Sequence, residues 1–122
     1  MSDEFLKVAK QEIRTEIDSL KEAFIGCAND EHLYKKSKDV EKHMHKIKGL
    51  APMMGQEKVG EIARINDIIL KHIINHGALK DSCDIILESV QRMSTLFDGD
   101  VTVDSDDFRK QVMTKYPDIT GF

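Results

Sequence analysis

Several residue types that characterise other classes of protein are scarce or missing in this sequence. It has no tryptophan, two cysteines and two prolines in 122 residues. Two cysteines are too few for a disulfide framework, and both fall on apolar faces of predicted helices, so we expect reduced, structural thiols. No stretch approaches the roughly 18 consecutive apolar residues of a transmembrane helix. We therefore expect a helix-rich globular protein that does not enter a membrane.

Positive charge is also in short supply. The formal net charge is −4, which argues against sequence-independent nucleic-acid binding, because that mode needs a basic surface to displace counterions. The first ten residues, MSDEFLKVAK, lack the basic and apolar regions of a secretory signal, so we expect a cytoplasmic location. A chain of 122 residues has the length of one domain with a single modest core.

Apolar residues recur at the 3.6-residue period of an amphipathic helix in four segments. The second of these helices is expected to have Asp30 as its N-cap. Because short loops join antiparallel neighbours, the sequence predicts an all-α fold, an antiparallel up-down-up-down four-helix bundle over residues 1–97. The four segments cover residues 3–26, the stretch from Asp30 to Gly55, a stretch that begins near Gln56, and the stretch from about Lys80 to Phe97.

The remaining residues, 98–122, have a different composition. They begin with the acidic, turn-rich segment DGDVTVDSDD, which we expect to be a mobile or loosely packed linker. Ser105 is the expected cap of a short fifth helix over about residues 106–115, and Pro117 stops that helix. The sequence thus predicts a bundle followed by an acidic linker and a short C-terminal helix.

One histidine on the second predicted helix has unusual neighbours. Met44 and Ile47 belong to the core stripe, so His45, rotated about 100° from Met44, faces away from the bundle interior. A glycine inside a helix costs about 1 kcal/mol relative to alanine, and here a glycine leaves open space beside the imidazole. A lysine on the same face places a cation where an anionic group on His45 would lie. The residues that share this face are Glu41, Lys42, Lys48 and Gly49.

The segment that begins at His45 reads HKIKGLAPMMG. Its His-x-x-Lys-Gly pattern, with Gly55 six residues after Gly49, resembles the signature of histidine phosphotransfer (HPt) domains. These are helical bundles that carry a phosphoryl group on one exposed histidine. The adjoining stretch MMGQEKVGEIA is most similar to the N-terminal phosphotransfer domain of CheA-type chemotaxis kinases. The resemblance covers about residues 3–97 in helix order and spacing.

Carried onto this sequence, the resemblance implies roles for four residues. His45 becomes the phosphoacceptor, through its distal ring nitrogen, and Lys48 stabilises the phosphoryl charge. Asp67, 22 residues after His45, matches an acid that accepts a hydrogen bond from the other ring nitrogen, although the family usually has glutamate there. Arg64, 19 residues after His45, stands where the family often has a histidine. Two roles are open for Arg64: it holds the phosphoryl group, or it pairs with Asp67.

Access of a partner to His45 involves four further residues. Glu41, Lys42 and Gly49 lie on the same helix face, and Pro52 follows one turn later. Pro52 departs from the family, which prefers a small residue there. Inside a helix a proline removes the hydrogen bond to the carbonyl of Lys48 and predicts a kink just after the active turn. Such a kink either exposes that carbonyl or redirects the end of the helix.

The resemblance implies a phosphoryl carrier in two-component or chemotaxis signalling. Its expected partners are the catalytic domain of a histidine kinase and the receiver domains of response regulators, and the carrier is expected to be a monomer. The sequence has no glycine-rich nucleotide loop. We therefore expect partner domains to supply ATP and Mg²⁺ and the chain to have no intrinsic cofactor. A free-standing relay protein and the first domain of a larger histidine kinase both fit this interpretation.

Two other functions compete with phosphotransfer. One is a helical adaptor bundle that is never phosphorylated. The other is metal binding, because His72 and His76 have the i, i+4 spacing of a zinc pair, with His43 or His45 as a further ligand. His43 and His45 point about 200° apart on a helix, so they cannot both face one ion there.

Overall fold

The computed structural model describes residues 2–100 and 102–122, so that Met1 of the predicted bundle and Val101 of the predicted linker lie outside the described residues. Within these ranges the chain forms five helices and no strand, which confirms the all-α class. No helix in these ranges is long and apolar enough to cross a membrane. The helices are α1 (Asp3–Ile25), α2 (Asp30–Met53), α3 (Glu57–His76), α4 (Ser82–Phe97) and α5 (Ser105–Lys115).

The core lies between the apolar stripes that the sequence period defines. The most extensive helix pair is α2 against α3; α1 packs on α2 and α4, and α4 also packs on α3. Burial of these stripes stabilises the fold, since each Å² of apolar surface removed from water contributes roughly 25 cal/mol of free energy. Fully buried members of the core include Ile13, Ile17, Leu20, Leu33, Met44, Ile47, Ile62, Ile69, Leu70 and Ile86.

The start of α2 differs by one residue from the prediction. Asn29, not Asp30, is the N-cap, and its side-chain oxygen accepts a hydrogen bond from the backbone N–H of His32 at 2.9 Å. The carboxylate of Asp30 instead accepts from the backbone N–H groups of Asp81 at 2.8 Å and Cys83 at 2.9 Å. Adjacent Asn and Asp are both good caps, and Asp30 is used to join the start of α2 to the start of α4.

Two other helix starts also differ from the prediction. Asp104, not Ser105, caps α5, and its carboxylate accepts from the backbone N–H of Asp106 at 2.9 Å. Helix α4 begins at Ser82 rather than near Lys80, because Asp81 has left-handed backbone geometry with φ 66°. Such a residue cannot continue a right-handed helix.

The predicted short C-terminal helix is present as α5, and it packs on the core that the other helices form. Phe108, Val112 and Tyr116 are buried within the same core as the other helices, and α5 packs against α3. The hydroxyl of Tyr116 donates a hydrogen bond to the carbonyl of Lys80 at 2.6 Å. The apolar residues at positions 108, 112 and 116 follow the i, i+4 spacing of one helix face, which accounts for the docking.

Pro52 lies in the last turn of α2, where it packs against the start of α3. The helix ends one residue later, at Met53, and the chain turns through Gly55 with φ 75°. A Cβ atom added to Gly60 would lie 2.8 Å and 2.9 Å from two ring carbons of Pro52. The proline ring and the α3 backbone therefore approach each other so closely that only glycine fits at position 60.

This contact predicts opposite effects for two glycine substitutions. Gly60→Ala should lower the free energy of unfolding by about 1–2 kcal/mol, because overpacking against a rigid ring costs more than the helix propensity of alanine returns. Gly49→Ala is the matched control, since a Cβ atom added there would meet no described atom within 4 Å apart from its chain neighbours and its own helix backbone. This substitution should raise the free energy of unfolding by up to about 1 kcal/mol. Urea denaturation measures both changes. Equal stability of the Gly60→Ala and wild-type chains would contradict the close approach. The approach would also be contradicted if Gly60→Ala lost as much stability in a Pro52→Ala background as it does in the wild-type chain.

Candidate functional site

His45 lies on the outer face of α2, as the helix geometry predicts. Its side chain is 60% exposed, whereas its neighbours Met44 and Ile47 on the core side are fully buried. The Nδ1 atom faces inward, 3.7 Å from Oδ2 of Asp67 and 3.9 Å from Oε1 of Glu41. The Nε2 atom, on the opposite side of the ring, therefore lies away from these acids and toward solvent.

Asp67, on α3, is the buried acid of the site. Its side chain is only 2% exposed, and its Oδ2 atom accepts hydrogen bonds from the ammonium groups of Lys48 at 2.9 Å and Lys71 at 3.0 Å. The 3.7 Å separation from Nδ1 of His45 is longer than a hydrogen bond. The structure thus brings the predicted acid and histidine together, at a separation slightly beyond that of a hydrogen bond.

The two acids of the site have pKa values displaced in opposite directions. Burial acts to raise the pKa of Asp67, but the neighbouring Glu41 carboxyl and the hydrogen bonds from Lys48 and Lys71 outweigh burial and lower it to about 2. The close approach to the Asp67 carboxylate, together with partial burial, raises the pKa of Glu41. Asp67 is therefore the ionised member of the pair, and Glu41 is the member that holds a proton more readily.

Two lysines rather than one serve the site. Lys48, which the sequence predicted, is half-buried and bound to Asp67 instead of standing free beside the imidazole. Lys71 was missed by the sequence reasoning, although it lies four residues after Asp67 on the same helix, the spacing at which ion pairs form. The site therefore contains two ammonium groups that share one carboxylate oxygen.

Arg64 does not pair with Asp67, so that predicted alternative is wrong. Its guanidinium group forms two hydrogen bonds with the carboxylate of Glu61, at 2.9 Å and 2.6 Å. It also donates to the backbone carbonyls of Gly121 and Phe122, at 2.8 Å and 2.7 Å. These four bonds use the guanidinium fork to fasten the segment after α5 to α3.

The four residues assigned to partner access have different surroundings. Lys42, Gly49 and Pro52 are exposed, and the space beside Gly49 is open to 4 Å within the described part of the chain. Glu41 is different, because its side chain is only 18% exposed and its Oε1 atom faces the inner nitrogen of His45. Glu41 thus belongs to the interior of the site.

A second charged cluster lies on another face of α2. The buried Glu16 of α1 pairs with Nδ1 of His43 and, at 3.2 Å, with the ammonium group of Lys46. His43 and His45 therefore face different helices, as their predicted angular separation requires. This cluster joins α1 to α2.

The competing metal site receives no support from the geometry. His72 and His76 lie side by side, with ring centroids 4.4 Å apart. Among the described residues, the group with three metal-ligating side chains is instead Glu41, His45 and Asp67, whose ligand atoms all lie within 4.8 Å of one another. A cation there would face the ammonium groups of Lys48 and Lys71, which already neutralise Asp67. Electrostatics therefore disfavour a metal ion at this group.

The fold and the site together define a class: an all-helical protein with an exposed histidine backed by a buried carboxylate and two ammonium groups. Comparisons of the chain with protein-family models, with curated proteins and with solved structures gave no match. The function of the chain is therefore inferred from the chemistry of these side chains.

Proposed function

We propose that this chain is a histidine phosphotransfer domain that carries a phosphoryl group on His45 in two-component or chemotaxis signalling. The observation that carries the proposal is the asymmetry of the imidazole. One ring nitrogen faces the buried carboxylate of Asp67 at 3.7 Å, while the ring as a whole is 60% exposed. A partner can therefore reach Nε2, while the protein controls the protonation of Nδ1.

The proposed architecture is an antiparallel up-down-up-down four-helix bundle of α1 to α4, with α5 docked on its outside. Two features support it. The first four helices are joined by the short loops 26–29, 54–56 and 77–81, which favour antiparallel neighbours. Contacts between α1 and α2, α2 and α3, α3 and α4, and α1 and α4 close a ring of helices.

The chemistry follows from the tautomer that Asp67 favours. An anionic carboxylate beside Nδ1 holds the proton on that nitrogen, which leaves a lone pair on Nε2. Nε2 attacks the γ-phosphorus of ATP held by a kinase, the N–P bond forms, the bond to the bridging oxygen breaks and ADP leaves. Lys48 and Lys71 supply positive charge near the new phosphoryl group, the kind of stabilisation on which such transfers depend.

The proposed partners are the catalytic domain of a histidine kinase, which supplies ATP and Mg²⁺, and receiver domains, whose acceptor aspartate takes the phosphoryl group from His45. The open space beside Gly49 suits the close approach of such domains. In this proposal the chain is a cytoplasmic, monomeric carrier without a cofactor of its own. Lys42 and Lys46, both exposed near His45, complement an acidic receiver surface and speed the encounter.

Intact-mass spectrometry tests the proposal. The chain is incubated with Mg-ATP and a panel of histidine kinase catalytic domains, and separately with phosphorylated receiver domains. We expect a gain of one phosphoryl group that is lost in acid and kept in alkali, since an N–P bond on imidazole is acid-labile. A folded chain that gains nothing from any donor would favour the unphosphorylated adaptor, and a base-labile adduct would indicate an acyl phosphate.

The same proposal predicts a trade between stability and transfer at Gly49. In Gly49→Ala, the added methyl group occupies the space that a partner needs beside the imidazole, so transfer to and from His45 should slow. The variant should nevertheless be the more stable chain, by up to about 1 kcal/mol. Rates of phosphorylation and thermal unfolding, measured on one preparation, check both effects. Transfer at the wild-type rate would show that partner access does not depend on this glycine.

A further inference from the structure

We propose that Glu41 is a positioning residue for His45: its protonated carboxyl donates a hydrogen bond to Oδ1 of Asp67 and so fixes the carboxylate that faces the ring. The inference deepens the proposed function and depends on it for its catalytic consequence. The spacing of residues on α2 had suggested only that Glu41 lies where a partner approaches.

The first observation is an oxygen atom without a partner. Oδ1 of Asp67 is buried and accepts no conventional hydrogen bond within the described residues, whereas Oδ2 accepts two from Lys48 and Lys71. A buried acceptor left unsatisfied costs about 1–3 kcal/mol, and more when it is charged. A donor for Oδ1 is therefore expected inside the site.

The second observation is the position of Glu41. It lies one turn before His45 on α2, its side chain is mostly buried, and its carboxyl, the His45 ring and the Asp67 carboxyl have ligand atoms within 4.8 Å of one another. Two ionised carboxylates at this distance repel each other. A proton on Glu41 removes the repulsion and supplies the donor that Oδ1 lacks, and the raised pKa of Glu41 agrees with this arrangement.

The proton also changes the charge that an incoming phosphoryl group meets. The charged groups facing Glu41 and Asp67 are Lys48 from α2 and Lys71 from α3, with His45 beside them. With both acids ionised, their two negative charges cancel the two positive charges of the ammonium groups. With Glu41 protonated, one positive charge is left over, and a phosphoryl dianion on His45 is better stabilised.

Two substitutions at one position separate this role from a structural one. Glu41→Gln keeps the size and a donor that does not titrate, whereas Glu41→Met keeps the length and removes the donor. We expect Glu41→Gln to be phosphorylated at least as fast as the wild type at each pH, with the gap between the two chains widening as pH rises through the pKa of Glu41. Glu41→Met should be slower by on the order of tenfold. Circular dichroism verifies that each variant is folded.

A second readout does not require phosphorylation. Imidazole ¹⁵N shifts report the tautomer of His45, which should be the Nδ1–H form in wild type and Glu41→Gln and should move toward Nε2–H in Glu41→Met. If the tautomer moves as expected but no variant is ever phosphorylated, the positioning role stands and the proposed function fails. If all three chains share one tautomer, rate and pH profile, the positioning role is overturned while the proposed function stands. Equal losses in both variants would also overturn it, since the ionised carboxylate would then be the active form.

Discussion

Substitution of His45 by glutamine is expected to abolish phosphoryl acceptance while leaving the fold and its stability almost unchanged. The side chain is 60% exposed, and Oδ2 of Asp67 lies 3.7 Å from its Nδ1 atom, beyond hydrogen-bond distance, so little packing is lost. In the proposal His45 is the sole phosphoacceptor, and the loss should therefore be complete rather than partial. Intact mass after incubation with Mg-ATP and a competent kinase domain measures it.

The control for this substitution is His76→Gln. His76 is also an exposed helical histidine, and it lies at the end of α3 next to His72. The variant should accept one phosphoryl group at the wild-type rate. Phosphorylation of His45→Gln to the wild-type level, or loss of phosphorylation in His76→Gln alone, would place the acceptor elsewhere.

Replacement of Asp67 by asparagine is expected to have the largest effect on stability among the site substitutions. Asparagine keeps the size but removes the anion to which Lys48 and Lys71 donate. The pKa of Asp67 is lowered from 3.8 to about 2, which corresponds to about 2 kcal/mol of folding free energy at pH 7. We expect the variant to be less stable by about that amount in urea denaturation at neutral pH.

The pH dependence of this difference has a definite sign. A carboxyl whose pKa is lower in the folded chain stabilises above its unfolded pKa of 3.8, and the contribution disappears as pH falls through about 2. Roughly half of the stabilisation that Asp67 contributes at pH 7 should therefore remain at pH 3. Glu41, whose pKa is raised, acts in the opposite sense, because its contribution is present in acid and fades as pH rises. The exposed Asp39 of α2 is the control, and Asp39→Asn should change stability little at either pH. A loss of stability in Asp67→Asn that does not depend on pH would contradict the ion-pair account.

The helices could be predicted from the sequence because their apolar faces are periodic, but their ends could not be fixed as well. Asn29 and Asp30 are equally suitable caps by residue type, and the choice between them depends on where the start of α4 lies. The same holds for α5. There, Asp104 and Ser105 are both suitable caps by residue type, and Asp104 is the one that caps the helix.

The site could be predicted only along a single helix. The angle between neighbouring residues indicated that His45 is exposed, and the family resemblance indicated that Asp67 lies behind it. The second lysine could have been found from its i, i+4 spacing to Asp67 on α3. The inward orientation of Glu41, by contrast, depends on how α2 packs on α3, which no local pattern encodes. Arg64 shows the same limit, because its partners are Glu61 and two backbone carbonyls more than fifty residues away in sequence.

The most direct test of the central claim is to locate the phosphoryl group at atomic level. The chain, labelled with ¹⁵N, is incubated with Mg-ATP and histidine kinase catalytic domains, and the imidazole nitrogens are observed by NMR. The account predicts one adduct, with phosphorus bonded to Nε2 of His45 and the proton retained on Nδ1. An adduct on any other residue, or on Nδ1, or no adduct on a folded chain, would contradict it.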